Sequence, residues 1–284
     1  MIILVESGRL GNQLFQYNVI REGFNKEKII FFGFSNLKEL LNFKYENLIQ
    51  FDIPNFVGLK LATFICRGLI KLRLVGGIFE IKKNRDKTII QKRRGLIPFV
   101  FILSYANFQN TETVKSVSLQ SPIKDENYEL ARNWIKEKFP DYQRSKTVFI
   151  HIRRGDYVNW PTKEFPAVLG IDWYRRAIDS IIQKVDNPNF IIVTDDIYYA
   201  QDLFKDQNIY TISNNSQIID LSIMSQCGHG ILSASSFAWW GAHISSELST
   251  NMQPIFLAPK YWCGHRKKQW LPDDFISDFL TYIE

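Results

Sequence analysis

Between residues 147 and 259 short apolar runs alternate with longer amphipathic stretches, and no other feature narrows the choice of fold as much. Residues 148–150, 190–193, 209–212, 230–233 and 255–258 read as strands, because a strand covered on both faces needs a near-continuous apolar run of about this length. Helical segments lie between them. WYRRAIDSIIQKV carries Trp173, Ala177, Ile178 and Ile181 on one face, with Asp172 as the predicted cap. Residues 198–204 and 218–227 read as two more helices, and Ser235-Ser236 opens another. Strand and helix in this rhythm predict a parallel sheet with helices on both faces.

The first half is legible only in part. Residues 2–5 predict a strand, followed by the turn Ser7-Gly8-Arg9-Leu10-Gly11-Asn12-Gln13 and a helix through Leu14, Tyr17 and Arg21. Strand, glycine loop and helix N-terminus together make a ligand site, with Gly11 and Asn12 at its start. The spacing is GxxG, and without a following Gly-Lys-Ser/Thr it is no Walker loop. Residues 29–32 predict a second strand and 37–41 a short helix, whereas 44–110 show no clear pattern. Residues 124–139 predict a helix around Leu130, Trp134 and Phe139, ended by Pro140. The polar stretch 141–146 reads as a linker, which divides the chain into domains 1–143 and 144–284. A hydrophobic content of 45% is ample for two cores. Cys66, Cys227 and Cys263 are widely spaced, which argues against a disulfide framework or zinc cluster and fits a reducing compartment.

Three polar clusters fall at predicted strand ends: Arg153, Arg154 and Asp156; Asp195 and Asp196; Ser235 and Ser236. In an open α/β sheet the carboxyl ends of the strands are where ligands bind. Alternation along a strand sends His151 and Arg153 one way and Arg154 the other. Arginines leaving a buried strand need an anion. That anion is a phosphate, which arginine grips with two parallel bonds, or a nearby acid, Asp156 first. The serines offer hydroxyls and free N–H groups to a phosphate, or simply cap a helix. Asp195 and Asp196 either cap the next helix or read a base edge.

The net charge of +6 is uneven. Residues 60–94 hold eleven Lys and Arg against two acids, with Lys82, Lys83, Arg85, Arg93 and Arg94 among them. Lys60, Arg67 and Lys71 share one helical face, while Leu61, Phe64, Ile65 and Leu72 gather on another. Such a helix either packs its apolar face inside or lies on anionic lipid. The N-terminus has no signal-peptide pattern and no run reaches 18 apolar residues, so a soluble or peripheral protein is expected. The pI near 9.1 raises a nucleic-acid reading, but the basic residues lie apart from the motifs and no nucleic-acid motif is recognised, so no nucleic-acid partner is expected.

Gly8-Arg9-Leu10-Gly11-Asn12-Gln13-Leu14-Phe15-Gln16-Tyr17, His151-Ile152-Arg153-Arg154-Gly155-Asp156-Tyr157, Thr194-Asp195-Asp196, Asp220-Leu221 with Met224 and Cys227, and Ser235-Ser236-Phe237-Ala238-Trp239-Trp240-Gly241-Ala242 together resemble the motifs of family 11 glycosyltransferases, the α-1,2-fucosyltransferases. They come in family order, from residue 8 to about 260. Ala234 stands where the family usually has Asn, Ala238 where it has Ser, and Arg9 where it has Gly.

The resemblance implies an α/β fold of GT-B type, with two Rossmann-like domains facing across a cleft. It implies an inverting transfer of L-fucose from GDP-fucose to the 2-hydroxyl of a galactoside, with no metal and no other cofactor. The donor would meet His151, Arg153, Arg154, Asp195, Asp196, Ser235, Ser236 and Phe237 in the C-terminal domain together with Gly11 and Asn12 of the glycine loop, and the N-terminal domain would recognise the acceptor. Arg153 would meet the leaving β-phosphate. Asp156 would take the acceptor proton or hold the arginines in place, with Glu6 as a second candidate base. The absence of any Asp-x-Asp agrees with a metal-free site. The expected setting is the bacterial cytoplasm, at the inner face of the inner membrane, on a galactose-containing and lipid-linked glycan of O-antigen or capsule. The same fold with another nucleotide sugar remains the open alternative.

Overall fold

The computed structural model describes residues 1–42, 48–53, 56–84, 87–103, 106, 108–109, 123–205, 210–249, 252–262, 268 and 276–284, and at 56, 82–84 and 87–89 the backbone alone. The chain divides into two compact units, Met1–Pro122 with Asp273–Ile276, and Ile123–Pro272 with Ser277–Glu284.

The first unit holds β1 (Ile2–Val5), β2 (Ile29–Phe32), β3 (Leu48–Phe51), β4 (Val75–Asn84), β5 (Lys87–Arg93) and β6 (Ile97–Leu103) in the order β3-β2-β1-β6-β4-β5. Its pairs are parallel except for the β4–β5 hairpin. The chain leaves β1 toward β2 and β3, then crosses to β6 and β4 on the other side. The carboxyl end of β1 therefore lies at the point where strand order reverses. There the turn at Gly8, whose φ is +75°, leads into α1 (Leu10–Gly23). Helix α1 is buried from Leu10 to Arg21 apart from Asn12, so it has no amphipathic stripe. Its buried amides are tied locally: Gln16 Nε2 donates to Ser7 Oγ at 3.1 Å and to the Ala106 carbonyl at 3.0 Å. The predicted 37–41 helix is α2 (Ser35–Leu40). The stretch that gave no clear pattern contains α3 (Phe56–Lys71), β4, β5 and β6.

The second unit carries β7 (Thr147–Ile152), β8 (Asn189–Thr194), β9 (Tyr210–Ile212), β10 (His229–Ile231), β11 (Ile255–Pro259) and β12 (Thr281–Ile283), parallel throughout, in the order β12-β11-β10-β7-β8-β9. Every residue of β7 is buried, as a central strand covered on both faces must be. Helices α4 (Asp125–Lys138), α5 (Ile171–Ile182), α6 (Ile197–Leu203), α7 (Gln217–Gln226) and α8 (Ser236–Glu247) belong to the same unit. Trp173, Ala177, Ile178 and Ile181 of α5 pack with Val148, Ile150, Phe190 and Ile192 of the sheet, so the predicted face is the buried one. Helices α7 and α8 touch closely at Gly241, where an added Cβ would sit 2.7 Å from Met224 Cβ.

Three expectations change. The division falls at 122/123 rather than 143/144, because α4 and residues 141–146 pack on the second unit. Gln226 Nε2 donates to the Tyr128 carbonyl at 3.0 Å, and Tyr142 Oη to the Gln226 carbonyl at 2.7 Å. Helix α4 turns Asn127, Ala131 and Ile135 inward and leaves Leu130 57% exposed. Asp172 does not cap α5; the helix starts at Ile171 after Gly170, and Asp172 sits in the first turn, 3.7 Å from Arg175. Ile209, expected to start a strand, lies outside the described residues.

Candidate active site

In the second unit the chain runs from β7 to β8 and β9 on one side and returns to β10 on the other. The carboxyl ends of β7 and β10 thus flank a switch point, where outgoing connections diverge and open a crevice for ligands. His151, Arg153 and Arg154 come from β7 and its exit, Ser233 and Ser235 from the exit of β10, and Asp195 and Asp196 from the end of β8. All the predicted site residues of the second half gather here. Gly11 and Asn12 belong to the first unit.

The arginines meet acids first. Arg153 Nη1 lies 2.6 Å from Asp195 Oδ2, its Nη2 donates to Asp156 Oδ1, and its guanidinium lies 5.3 Å from the centre of the Tyr157 ring. Arg154 turns to the other side, as the alternation requires. Its Nε donates to Asp196 Oδ2 at 3.0 Å, its backbone N–H donates to Asp195 Oδ1 at 2.8 Å, and its guanidinium rests 3.6 Å from the centre of the Tyr199 ring. Asp195 therefore straps the end of β8 to both arginines. That closeness requires Gly155, since a Cβ there would sit 2.6 Å from Asp195 Oδ2. Asp196 also caps α6, accepting from the Tyr199 N–H at 3.0 Å. Neither aspartate stands open as a base reader here; both are engaged by the β7 arginines.

A second group lies across the switch point. His151 is 4% exposed, shares a 2.7 Å hydrogen bond between Nδ1 and Ser233 Oγ, and faces the Phe237 ring at 5.7 Å between ring centres. Burial, and then the Arg153 charge, push its pKa down to about 3, so the imidazole is neutral at working pH. Ser235 caps α8, accepting from the Phe237 N–H at 3.3 Å, and Ser236 begins the helix half-buried. Tyr157 Oη donates to the Ala234 carbonyl at 2.8 Å and joins the two groups. Tyr174 Oη, deeply buried, donates to the His151 carbonyl at 3.2 Å.

Sequence reading missed Ser233, Tyr157 and Tyr199 as parts of this site. Tyr199 carried a signal, because it stands three residues after Asp196 where a capped helix turns its first N–H back. Ser233 carried none, since its role depends on β10 lying beside β7. A large cavity of about 710 Å³, lined among others by Tyr128, Arg132, Tyr142 and Arg144, opens beside the chain just ahead of β7, away from these strand ends.

In the first unit Glu6 follows β1 and accepts from the Phe34 N–H. With Ser7, Gly8, Lys60, Thr63 and Arg67 it lines a cavity of about 470 Å³ between the glycine loop and α3. Asn12 faces Gly8 and accepts from Gln109 Nε2 at 2.7 Å, and Gly11 is buried inside α1.

The chain is similar to several known proteins. The chain is 28% identical over 281 residues to an α-1,2-colitosyltransferase of Escherichia coli, covering 90% of each chain. It is 33% identical over 141 residues to the O-antigen biosynthesis glycosyltransferase WbnK of Escherichia coli, an alignment that covers 48% of this chain and 45% of that protein. It superimposes on POFUT1, solved in complex with GDP-fucose, with a TM-score of 0.55 and 11% identity over 90% of this chain and 96% of that one. That likeness shows the fold alone, which is of GT-B type with two α/β units. The Glycosyl transferase family 11 profile matches residues 89–269, well over half of the sequence. The chain belongs to glycosyltransferase family 11.

Proposed function

We propose that this protein transfers L-fucose from GDP-fucose, with inversion, to the 2-hydroxyl of a galactose-containing glycan of O-antigen or capsule. The observation that carries the reading is the meeting of the Arg153 and Ser235 segments at the carboxyl ends of adjacent strands. A diphosphate placed there meets a guanidinium on one side and the start of α8 on the other. The acceptor oxygen attacks the anomeric carbon, the bond to the β-phosphate oxygen breaks, and Arg153 stabilises the charge that grows on GDP. Asp156 is 59% exposed against 25% for Asp195 at the side chain, so Asp156 is the carboxylate a phosphate displaces from Arg153. The acceptor proton passes to Asp156 or Glu6. No metal is assigned to the reaction; Asp195 and Asp196 are engaged with arginines. The acceptor is taken to be lipid-linked, with the enzyme at the cytoplasmic face of the bacterial inner membrane.

A second reading, a colitose donor on the same GDP carrier, is supported by the colitosyltransferase that aligns over 90% of the chain. Thermal shift separates the carriers. GDP at a hundredfold excess over Kd should stabilise the fold by about 2.7 kcal/mol, and UDP should do far less. Equal affinity for UDP and GDP would overturn the assignment. Transfer assays with GDP-fucose and GDP-colitose then decide the sugar.

A further inference from the structure

We propose that the outward face of α3, together with the β5–β6 turn, is a docking surface for an anionic lipid bilayer. The surface lies wholly within the first unit and is independent of the donor assignment.

The sequence left two places for the apolar face of this helix, and the coordinates choose between them. Helix α3 packs on the sheet through Cys66, Leu69 and Ile70, which lie against Val75, Val100 and Ile102. The residues expected to gather on the apolar face point away from that core. Leu61 is 58% exposed, Phe64 75%, Ile65 50% and Leu72 70%, and Val57 adds to the same stripe at 73%. A soluble surface seldom carries large apolar side chains in so continuous a row without a partner. The stripe runs on into the neighbouring turn. The Leu96 N–H donates to the Arg73 carbonyl at 2.8 Å and the Ile97 N–H to the Leu74 carbonyl at 2.9 Å, which holds Leu96, 76% exposed, beside the segment that carries Leu72 and Leu74.

Charge identifies the partner. Where α3 ends, Lys71, Arg73, Arg93 and Arg94 line one cavity of about 380 Å³, with Ile70 and Phe79 in its wall. Among the described residues none of these four forms an ion pair, and neither does Arg67. Lys92, by contrast, is paired with Glu27 at 3.0 Å. A second copy of the chain would bring the same cations against each other, which disfavours a two-fold contact. A bilayer with phosphate headgroups satisfies both parts at once, taking the phosphates into the basic cavity and the apolar side chains below them. The Lys82 and Lys83 side chains and Arg85, in the same basic block, lie outside the described residues.

The arrangement also has a use. Leu59 and Thr63, on the flank of α3, and Phe64, from the stripe itself, line the cavity beside Glu6, Ser7 and Gly8. Docking α3 on the membrane holds that cavity at headgroup level, where the sugar of a lipid-linked glycan stands.

The test is co-sedimentation of the full chain with phosphatidylglycerol/phosphatidylethanolamine vesicles and with phosphatidylcholine vesicles, at low and high salt. The wild type should pellet with the anionic vesicles at low salt and be released at high salt. A combined Lys71→Gln, Arg73→Gln, Arg93→Gln, Arg94→Gln variant should lose at least about a hundredfold in partition, each basic residue near such a surface being worth about fivefold. Leu72→Ser with Leu96→Ser should weaken partition by about tenfold and leave the remainder more salt-sensitive. Both variants change exposed residues only, so melting temperature and GDP affinity should match the wild type. These two readouts separate failure of this proposal from failure of the donor assignment. Wild-type protein that ignores anionic vesicles at low salt overturns the proposal. So does a charge variant that pellets as well as the wild type, or a wild-type dimer abolished by the two serine substitutions.

Discussion

Arg153 is the residue on which the proposed chemistry turns. Its side chain is 12% exposed and held by two carboxylates from different segments, so its position is set before any phosphate arrives. Lysine at this position keeps the charge but loses the planar fork that reaches Asp156 and Asp195 together. Arg153→Lys should cut transfer by at least about a hundredfold with the melting temperature little changed; a variant within tenfold of the wild type would remove Arg153 from the transition state. Asp156 is separated from this role by its own substitution. The ion pair to Arg153 points to positioning, so Asp156→Asn should lose less than about tenfold in kcat and bind GDP more tightly as competition for Arg153 falls. Loss of about 10²–10⁴ in kcat, with the acidic limb of the pH–rate profile gone, would instead make Asp156 the proton acceptor.

At the level of elements, α7 carries a carboxyl whose ionisation the fold resists. Asp220 is 7% exposed, accepts from the Ser213 hydroxyl, and is pushed by burial up to about 7, with that hydrogen bond acting the other way. The folded chain therefore holds a proton that the unfolded chain releases near pH 4. Between about pH 4 and 7 the folded state binds more protons at this site, so the contribution of Asp220 to stability falls as pH rises, by at most about 1.4 kcal/mol per pH unit. His151, His229 and His243 act in the opposite sense. Burial lowers their pKa values, to about 3 for His151 and about 4 for His243, so they favour folding as pH rises toward the ordinary histidine value near 6.5. The wild-type curve mixes these slopes, and the Asp220→Asn difference isolates one. Urea melts at pH 5, 6, 7 and 8 should show Asp220→Asn gaining on the wild type with each step up to about 7 and levelling off above it. A difference that does not change with pH would mean that Asp220 ionises normally in the folded chain.

For the whole molecule, charge and chemistry are divided between the two units. Arg153, Asp195 and Ser235, which the proposal places at the donor, lie in the second unit, while the basic block lies in the first. Among the described residues no helix is long and apolar enough to cross a membrane, and no cluster of His, Cys, Asp and Glu has the arrangement of a metal site. The metal-free reading rests on the arginine–aspartate pairing and needs its own measurement. Transfer by protein treated with EDTA should equal that of untreated protein, and added Mn²⁺ or Mg²⁺ should not raise it. Activity lost in EDTA and regained with a divalent ion would assign neutralisation of the leaving group to a metal rather than to Arg153.

Much of this protein was local enough to be legible in the residues alone. The strands at 2–5 and 29–32 and β7 to β11 announce themselves because parallel strands buried on both faces need apolar runs, whereas β12 was not read. The face of α5 is readable because one side of that helix meets solvent and the other the sheet. Helix α1, buried nearly all round, has no stripe to read, and the β4–β5 hairpin carries lysines and arginines that mask its alternation. The motif segments could likewise be placed at strand ends, but not their partners. Whether Arg153 meets a phosphate or an acid depends on β8 lying beside β7, which brings Asp195 within 2.6 Å. His151 is neutral because packing buries its ring beside the Arg153 charge, and β10 on the other side supplies its hydrogen-bond partner Ser233. Likewise α3 contains two apolar rows, and only the strands beneath it select which row is buried. Periodicity is a property of neighbours along the chain, so sequence determines it; strand order, charge pairing and the choice of buried face depend on residues tens of positions apart, and tertiary structure alone decides them.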